Sequence, residues 1–143
     1  MPRFTESRIV VLPREPLFDL LLDIEQYPQF VPGYVSARVL ERGPDWLQVH
    51  QEVGLGRMRE RFHSTARYVR PEWIEIRAEE GPFRNMLTQW QLQALEPFRT
   101  RVDLKLDWQL RSKAAALLAR PWLAQWRRRL LDAFLRRAAE QVA

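Results

Sequence analysis

The sequence contains no cysteine. A chain without thiols cannot form disulfides, cannot bind a metal through thiolate ligands and cannot use a thiol as a nucleophile. This composition is typical of proteins that fold in a reducing compartment, where disulfides are rare. The fold must therefore rest on its buried core, which a chain of this length can supply.

Long apolar runs are also missing. No window approaches the roughly 18 consecutive apolar residues of a membrane-spanning helix. The N-terminal MPRFTESRIV lacks the basic segment and apolar run of a secretion signal. We therefore expect a soluble, cytoplasmic protein, with peripheral attachment to a membrane as the alternative.

Lysine is scarce although the chain is basic. Of the 23 basic residues only Lys105 and Lys113 are lysines, and the formal net charge is +5 at pH 7. Because arginine binds phosphate through a planar, two-pronged guanidinium, this balance permits acidic partners such as RNA, a ribosome surface or anionic lipid head groups. A GC-rich or heat-adapted genome produces the same arginine usage, and composition leaves both explanations open.

The 143 residues show no repeat, low-complexity tract or linker, which predicts a single domain over residues 1–143. A first β-like segment, Phe4 to Leu12, stops at Pro13. Apolar residues then recur at helical spacing in PLFDLLLDIEQ, namely at Leu17, Phe18, Leu21 and Ile24. Pro28 and Pro32 break the following YPQFVPG into a short turn or a second small helix.

From Tyr34 onward the apolar period changes from 3.6 to 2. Six alternating segments follow, separated by turns that contain glycine or proline, such as Gly54 to Gly56. This pattern is typical of an antiparallel meander with one buried face. The predicted inward residues are Leu47, Val49, Gln51, Val53, Met58, Phe62, Ala66, Tyr68, Ile74, Ile76, Met86, Thr88, Trp90, Leu92, Val102, Leu104, Leu106, Trp108 and Leu110.

An amphipathic helix closes the chain from Lys113 to about Gln141, with Ser112 as the candidate N-cap. Pro121 removes a backbone donor in its middle and is expected to kink or split it. The apolar stripe comprises Ala115, Ala119, Trp122, Leu123, Trp126, Leu130, Ala133 and Phe134. The sequence thus predicts an α+β fold in which one curved antiparallel sheet wraps a long C-terminal α-helix, with two small helices after the first strand.

Five motifs occur in a characteristic order: YPQFVPGYVSARVLER, VGLGRMRERFHS, GPFRNMLTQW, LDWQLRSK and LLDAFLRRA. Together they resemble the START-domain superfamily, in the coenzyme Q-binding and polyketide-cyclase-like branch that includes the bacterial ribosome association toxin. The resemblance covers essentially the whole chain and implies the helix-grip (START-like) fold.

The motifs of this branch carry over residue by residue. Y-P-x-F-[VL]-P falls on Tyr27, Pro28, Phe30, Val31 and Pro32. E-R-[FY]-x-S falls on Glu60, Arg61, Phe62 and Ser64. G-P-F followed by a tryptophan falls on Gly81, Pro82, Phe83 and Trp90. The family's D-F-E-F-R-S is replaced by Asp107, Trp108, Gln109, Leu110, Arg111 and Ser112.

The resemblance implies a cavity between sheet and helix for an elongated apolar molecule, such as a respiratory quinone, an isoprenoid or another lipid. The predicted ligand-binding residues are Tyr27, Phe30, Val31, Pro32, Val49, Gln51, Met58, Glu60, Phe62, Met86, Thr88, Trp90, Leu104, Leu106, Trp108, Trp122, Trp126 and Leu130. Phe30, Val31 and Pro32 are expected to form a mobile lid, and the tryptophans to shape the walls. The alternative is that these residues simply pack as core.

Glu60 interrupts the apolar side of RMRERFHSTARYV. Its carboxylate either contacts a ligand head group, with an acid or base role if burial raises its pKa, or turns out to an ion pair. The candidate ion-pair partners are Arg57, Arg61 and Arg77. Gln51 and Thr88 are the other polar candidates on the inward side.

No residue pattern predicts catalysis. His50 and His63 both fall on the outward side, and neither a carboxylate pair nor metal-ligand spacing accompanies them. Gly54-Leu55-Gly56 lies in a hairpin and not between a strand and a helix, so it does not indicate a phosphate loop. We expect neither a metal nor a cofactor, and a binding protein with a polyketide cyclase or aromatase as the weaker alternative.

Arginines gather on one strand and on the last helix. The predicted basic surface consists of Arg57, Arg59, Arg61, Arg67, Arg127 and Arg128. It indicates contact with ribosomal RNA or an anionic membrane, unless it is a solvated face offset by neighbouring carboxylates. Two functions follow: a carrier of a hydrophobic ligand, or a ribosome-associated factor that impedes subunit joining.

Overall fold

A computed structural model describes residues 3–55 and 57–142. The elements are β1 (Phe4–Val10), α1 (Arg14–Leu22), a short 3₁₀ helix (Ile24–Gln29), β2 (Tyr34–Arg42), β3 (Trp46–Leu55), β4 (Met58–Val69), β5 (Trp73–Ala78), β6 (Phe83–Glu96), β7 (Arg99–Leu110) and α2 (Lys113–Val142). Gly56, part of the predicted turn between β3 and β4, lies outside the described residues.

The strands form one antiparallel sheet of seven strands in the order β1-β7-β6-β5-β4-β3-β2. Strands β2 to β7 follow one another as hairpins, while β1 pairs with β7, as in the register of Arg8 with Val102. Helix α2 lies across one face of this sheet and buries Leu123, Leu131 and Phe134. The predicted helix-grip fold is therefore confirmed.

The alternation along β4 shows why the sheet has one buried face. Phe62, Ser64 and Ala66 are buried, whereas Arg61 and Arg67 are exposed. Each large apolar side chain removed from water in this way stabilises the fold by roughly 1.5–3 kcal/mol. The residues predicted to point inward are buried, except Met58, Tyr68 and Leu110, which are half-buried.

Helix α1 and the 3₁₀ helix cover one end of the inner face. Helix α1 stops at Leu22, before the end of the apolar pattern, because the backbone of Asp23 leaves the helical region with φ −81° and ψ 68°. The Asp23 N–H still closes the last turn on the carbonyl of Asp19 at 3.1 Å. The 3₁₀ helix is held to β2, since the Val39 N–H donates to Glu25 Oε2 at 3.0 Å. Strand β1 also ends two residues earlier than predicted, at Val10.

Helix α2 begins with the predicted cap, because the Ala115 N–H donates to Ser112 Oγ at 3.1 Å. Of the two expected effects of Pro121, the split is wrong, since one helix runs from Lys113 to Val142, and the kink stays a prediction. Pro121 is exposed, and so is Leu117, whose carbonyl the proline cannot pair with. Water can solvate that carbonyl, so the lost bond does not end the helix.

Candidate ligand-binding site

The predicted wall residues meet beneath α2. The rings of Trp108 and Trp126 are 4.7 Å apart, those of Trp122 and Trp126 stack at 5.9 Å, and Trp90 meets Phe134 at 5.2 Å. Aromatic pairs at such distances add about 0.5–1.5 kcal/mol each beyond the area they bury. The four tryptophans that the sequence singled out are thus part of one aromatic interior.

The space left inside this aromatic interior is small. A cavity of about 10 Å³ remains there, which is at the lower limit for a single water molecule. It is bounded by Gly33, Tyr34, Val53, Phe62, Phe83, Trp108, Trp122 and Trp126. A quinone or lipid can enter only if the tryptophans or the segment above them move.

The segment above the interior is the predicted lid. Val31 is buried, and the carbonyl of Pro32 accepts a hydrogen bond from Trp126 Nε1 at 2.6 Å. Gly33 has a φ of 87°, and its carbonyl accepts from the Gly54 N–H at 2.7 Å. The lid is therefore hydrogen-bonded to α2 on one side and to strand β3 on the other.

Phe30 and Tyr27 anchor the base of the lid. Phe30 packs edge-on against Phe134 with ring centroids 5.2 Å apart, and the Arg137 guanidinium lies over the Phe30 ring. The buried Tyr27 hydroxyl donates to the carbonyl of Leu21. Burial raises the pKa of Tyr27 well above its ordinary value, with a smaller effect from Tyr34, so Tyr27 stays neutral and contributes packing.

Two buried polar atoms on the inner face have no hydrogen-bond partner among the described residues. They are Gln51 Nε2 and Ser64 Oγ, in residues that are 1% and 2% exposed. They lie diagonally across the β3–β4 ladder, because Gln51 pairs with Phe62 and Ser64 with Val49. Leaving such groups unpaired costs about 1–3 kcal/mol each, so this pair is the natural contact for a ligand's polar end.

The sequence interpretation found Gln51 but missed Ser64 as a polar contact. Ser64 matches a position of a family motif, and it lies two residues after Phe62 on β4, so its side chain points to the same inward side. Thr88, the other predicted polar residue, already accepts a hydrogen bond from Trp108 Nε1 at 3.1 Å. The alternation of apolar and polar residues along the strands therefore located these side chains on the inner face. Their hydrogen-bond partners could be identified only from the structure.

Glu60 lies opposite Val53 on the β3–β4 ladder and is half-buried. Within residues 3–55 and 57–142 its carboxylate has no basic group within 4.0 Å. Of the expected partners, Arg61 pairs with Glu52 at 2.9 Å and Arg77 with Glu75 at 2.6 Å. The ion-pair alternative is thus not found in the described part of the chain, and contact with a ligand stays a prediction.

The remaining predicted ligand-binding residues also lie on the inner side. Val49, Met86, Leu104, Leu106 and Leu130 are buried in the apolar core, and Met58 is half-buried near the β3–β4 turn. These side chains provide apolar surface on the same face of the sheet as the polar pair. The arrangement suits an apolar molecule with a small polar head.

The outer face of the sheet carries the strand arginines. Arg59, Arg61 and Arg67 are exposed there, whereas Arg57 is exposed in the turn before β4. Glu52 lies within 4.0 Å of both Arg59 and Arg61. Part of the positive charge on this strand is therefore offset by a neighbouring carboxylate.

The helix arginines of the basic surface lie elsewhere. Arg128 is exposed, while Arg127 is half-buried with its guanidinium 5.1 Å from the centre of the Phe4 ring. The predicted basic surface is thus two separate groups, one on the outer sheet face and one on helix α2.

His50 and His63 lie on the outer face of the sheet, as their positions in the alternating strands predict. His50 Nδ1 is 3.3 Å from His63 Nε2, and His63 Nδ1 is 2.6 Å from Glu80 Oε1. In the part of the chain that is described, no cluster of three or more His, Asp or Glu side chains is arranged to hold a metal ion. The same residues include no helix long and apolar enough to cross a membrane.

Comparison with known proteins gives relatives over nearly the whole chain. The chain is 28% identical over 134 residues to the ribosome association toxin RatA of Pseudomonas aeruginosa, covering 94% of this chain and 93% of the toxin. It is 26% identical over 132 residues to the mitochondrial coenzyme Q-binding protein COQ10 of Dictyostelium discoideum, covering 90% and 64%.

A solved structure shows the same fold. The Zhui aromatase/cyclase from Streptomyces sp. R1128 superposes with a TM-score of 0.87 at 19% identity, covering 99% of this chain and 96% of that one. The family model described as polyketide cyclase / dehydrase and lipid transport matches residues 10–135. The sequence motifs, the sheet wrapped around α2 and this match agree: the chain belongs to the polyketide cyclase / dehydrase and lipid transport family.

Proposed function

We propose that the protein binds a hydrophobic molecule with a small polar head, of the quinone, isoprenoid or lipid class, between its sheet and α2. The observation that carries this proposal is the pair of buried polar atoms, Gln51 Nε2 and Ser64 Oγ, which have no hydrogen-bond partner among the described residues on the inner face of the sheet. A carbonyl oxygen on the ligand would accept from the Gln51 amide. The coenzyme Q-binding relative supports a quinone as the first ligand to test.

The first experiment identifies what the protein carries. Organic extraction of the purified protein followed by mass spectrometry is expected to release an isoprenoid or acyl species. A protein that releases none, and whose tryptophan fluorescence does not respond to added short-chain ubiquinone, contradicts the proposal.

A substitution separates ligand binding from stability. Gln51→Met removes the unpartnered amide, so we expect unchanged or higher stability together with about tenfold weaker ubiquinone binding, the effect of losing one buried hydrogen bond. Gln48→Met, on the outer side of the same strand, is the matched control and should change neither. Loss of binding in both variants would show that Gln51 has no specific role.

The second candidate function is association with the ribosome. It is favoured by the similarity to a ribosome association toxin and by the exposed arginines of β4 and of the turn before it. Sedimentation with ribosomal subunits at low salt, lost in an Arg57→Gln/Arg67→Gln variant, would support it. Sedimentation of the protein only at the top of the gradient would exclude it.

A further inference from the structure

The first half of helix α2 exposes an apolar surface that the fold does not use. Leu117 is 67% exposed and Leu118 is 76% exposed. Ala114 and Pro121 are also exposed, one turn to either side, and residues at this spacing share one helix face. We name these four residues the leucine ridge.

A groove runs beside the leucine ridge, between α2 and the end of β7. It has a volume of about 390 Å³. Its lining combines apolar side chains with three cations: Leu110, Lys113, Ala116, Leu117, Arg120, Leu123, Ala124 and Arg127. The groove thus combines apolar surface with positive charge.

The charge around the ridge has one sign. Every charged residue between Asp107 and Asp132 is basic: Arg111, Lys113, Arg120, Arg127, Arg128 and Arg129. No carboxylate of the described chain lies within 4.0 Å of Lys113 or Arg120. An occupant of this surface must therefore offer apolar contact and several negative charges together.

An anionic phospholipid bilayer satisfies both requirements. Its acyl chains accept exposed leucines, and its head-group phosphates attract the flanking cations. A second copy of the chain would bring like charges together across a two-fold interface. RNA would pair with the cations but would leave Leu117 and Leu118 without apolar contact.

We propose that the leucine ridge docks the protein on the surface of an anionic membrane, with Leu117 and Leu118 among the acyl chains and Lys113 and Arg120 at the phosphates. This role goes beyond the proposed ligand binding and does not depend on what the interior holds. This docking surface shares Arg127 with the helix group of the predicted basic surface and differs from the strand group, which lies on the outer face of the sheet.

Vesicle flotation tests the proposal. The protein is expected to float with vesicles of phosphatidylglycerol and phosphatidylcholine at low salt and to remain behind with pure phosphatidylcholine. Leu117→Gln/Leu118→Gln should weaken binding at least about tenfold. Leu95→Gln/Phe98→Gln, an exposed apolar pair on the β6–β7 hairpin, is the matched control and should bind as the parent does.

A second measurement does not depend on substitutions that remove binding. Because the chain has no cysteine, Leu118→Cys can carry a single environment-sensitive fluorophore. Its emission should shift to the blue with anionic vesicles, whereas a label at Phe98→Cys should not respond. Absent flotation, equal loss in the control pair, or a concentration-dependent dimer that the Leu117→Gln/Leu118→Gln variant abolishes would overturn the proposal.

Discussion

Tyr27 and Tyr34 form an edge-on pair at the base of the lid, with ring centroids 5.2 Å apart. Burial raises the pKa of both phenols above the ordinary value of 10.0. Since the unfolded chain releases these protons near pH 10 while the folded chain retains them, stability should fall as pH rises above about 10. Each phenol contributes a slope of up to about 1.4 kcal/mol per pH unit.

Urea unfolding between pH 8 and 11 measures this slope. The Tyr27→Phe/Tyr34→Phe variant should show a flatter alkaline decline, although its stability at pH 8 is lower because Tyr27 loses its bond to Leu21. The slopes are compared and not the absolute values. Equal slopes in the two proteins would contradict the assignment to these phenols.

Gly33 is the residue on which the closed lid depends most directly. Its φ of 87° disfavours side chains, and a Cβ there would lie 2.8 Å from Trp122 Cζ2. Gly33→Ala should therefore lower the free energy of unfolding by about 1–3 kcal/mol. Tryptophan emission should shift as the Trp122 ring is displaced.

Gly54 provides the matched control for Gly33. A Cβ at Gly54 would have its nearest neighbour at 3.9 Å, and the N–H that bonds the Gly33 carbonyl is kept in alanine. Gly54→Ala should cost less than about 1 kcal/mol. Equal losses in the two variants would show that the contact with Trp122 is not the cause.

The hydrogen-bond and ion-pair partners of individual side chains could not be predicted from the sequence. The alternation along the strands correctly placed Gln51 and Thr88 on the inner face. It could not show that Thr88 accepts a hydrogen bond from Trp108, whereas Gln51 Nε2 has no partner among the described residues. That difference depends on rotamers and on which helix residue lies opposite. The same limit applies to Glu60, since the sequence could not show that Arg61 and Arg77 pair with other carboxylates.

At the scale of elements, helix α2 contains two residues with opposite expected effects. Ser112→Ala removes the cap on the Ala115 N–H and should destabilise by about 1 kcal/mol. Pro121→Ala restores a backbone donor at an exposed site and should stabilise by about 1–2 kcal/mol, since the gain of about 3 is partly offset by a more flexible unfolded chain.

The urea unfolding midpoints of the two α2 variants test both predictions, a lower midpoint for Ser112→Ala and a higher midpoint for Pro121→Ala. Because Ser112 and Pro121 are exposed, neither change disturbs the aromatic interior. Destabilisation by Pro121→Ala would mean that a bend at this proline is needed for α2 to follow the sheet.

The identity and order of the elements were largely predictable from sequence, and their ends were less so. A period of 2 over six segments fixes the hairpins, because each strand has one face in water and one in the core. Helix α1 stops early because the Asp23 backbone leaves the helical region, and α2 continues through Pro121 because the unpaired carbonyl is at an exposed residue. Such local features leave little trace in the apolar pattern.

At the scale of the whole molecule, the interior is closed, yet it contains buried polar atoms without hydrogen-bond partners in the part of the chain that the structure describes. The tryptophans fill the space beneath α2, yet Gln51 Nε2 and Ser64 Oγ remain without a hydrogen-bond partner on the inner face of the sheet, among the described residues. Hydrogen bonds and stacking close the lid through Pro32 and Gly33 without any covalent link. A structure of this kind can exchange packed aromatic contacts for contacts with a ligand, and the cost of opening should limit how fast an apolar molecule enters.

Trp108 is the side chain whose removal should open the interior. Its ring touches Trp126 and Phe83, and its Nε1–H donates to Thr88. Trp108→Ala should lower the free energy of unfolding by about 3–5 kcal/mol and leave an apolar cavity beside the existing one. Indole should then bind and raise the melting temperature of this variant, as small apolar molecules do in dry engineered cavities.

Trp46→Ala is the control, because that half-buried ring packs on Gly43 in the β2–β3 turn and not under α2. Indole should not change its melting temperature. Trp108→Leu provides a milder cavity if the alanine variant does not fold. Stabilisation of the Trp46 and Trp108 variants alike would show that indole binds outside the interior. Stabilisation confined to the Trp108 variants would show that Trp108 blocks the space into which we propose the ligand enters.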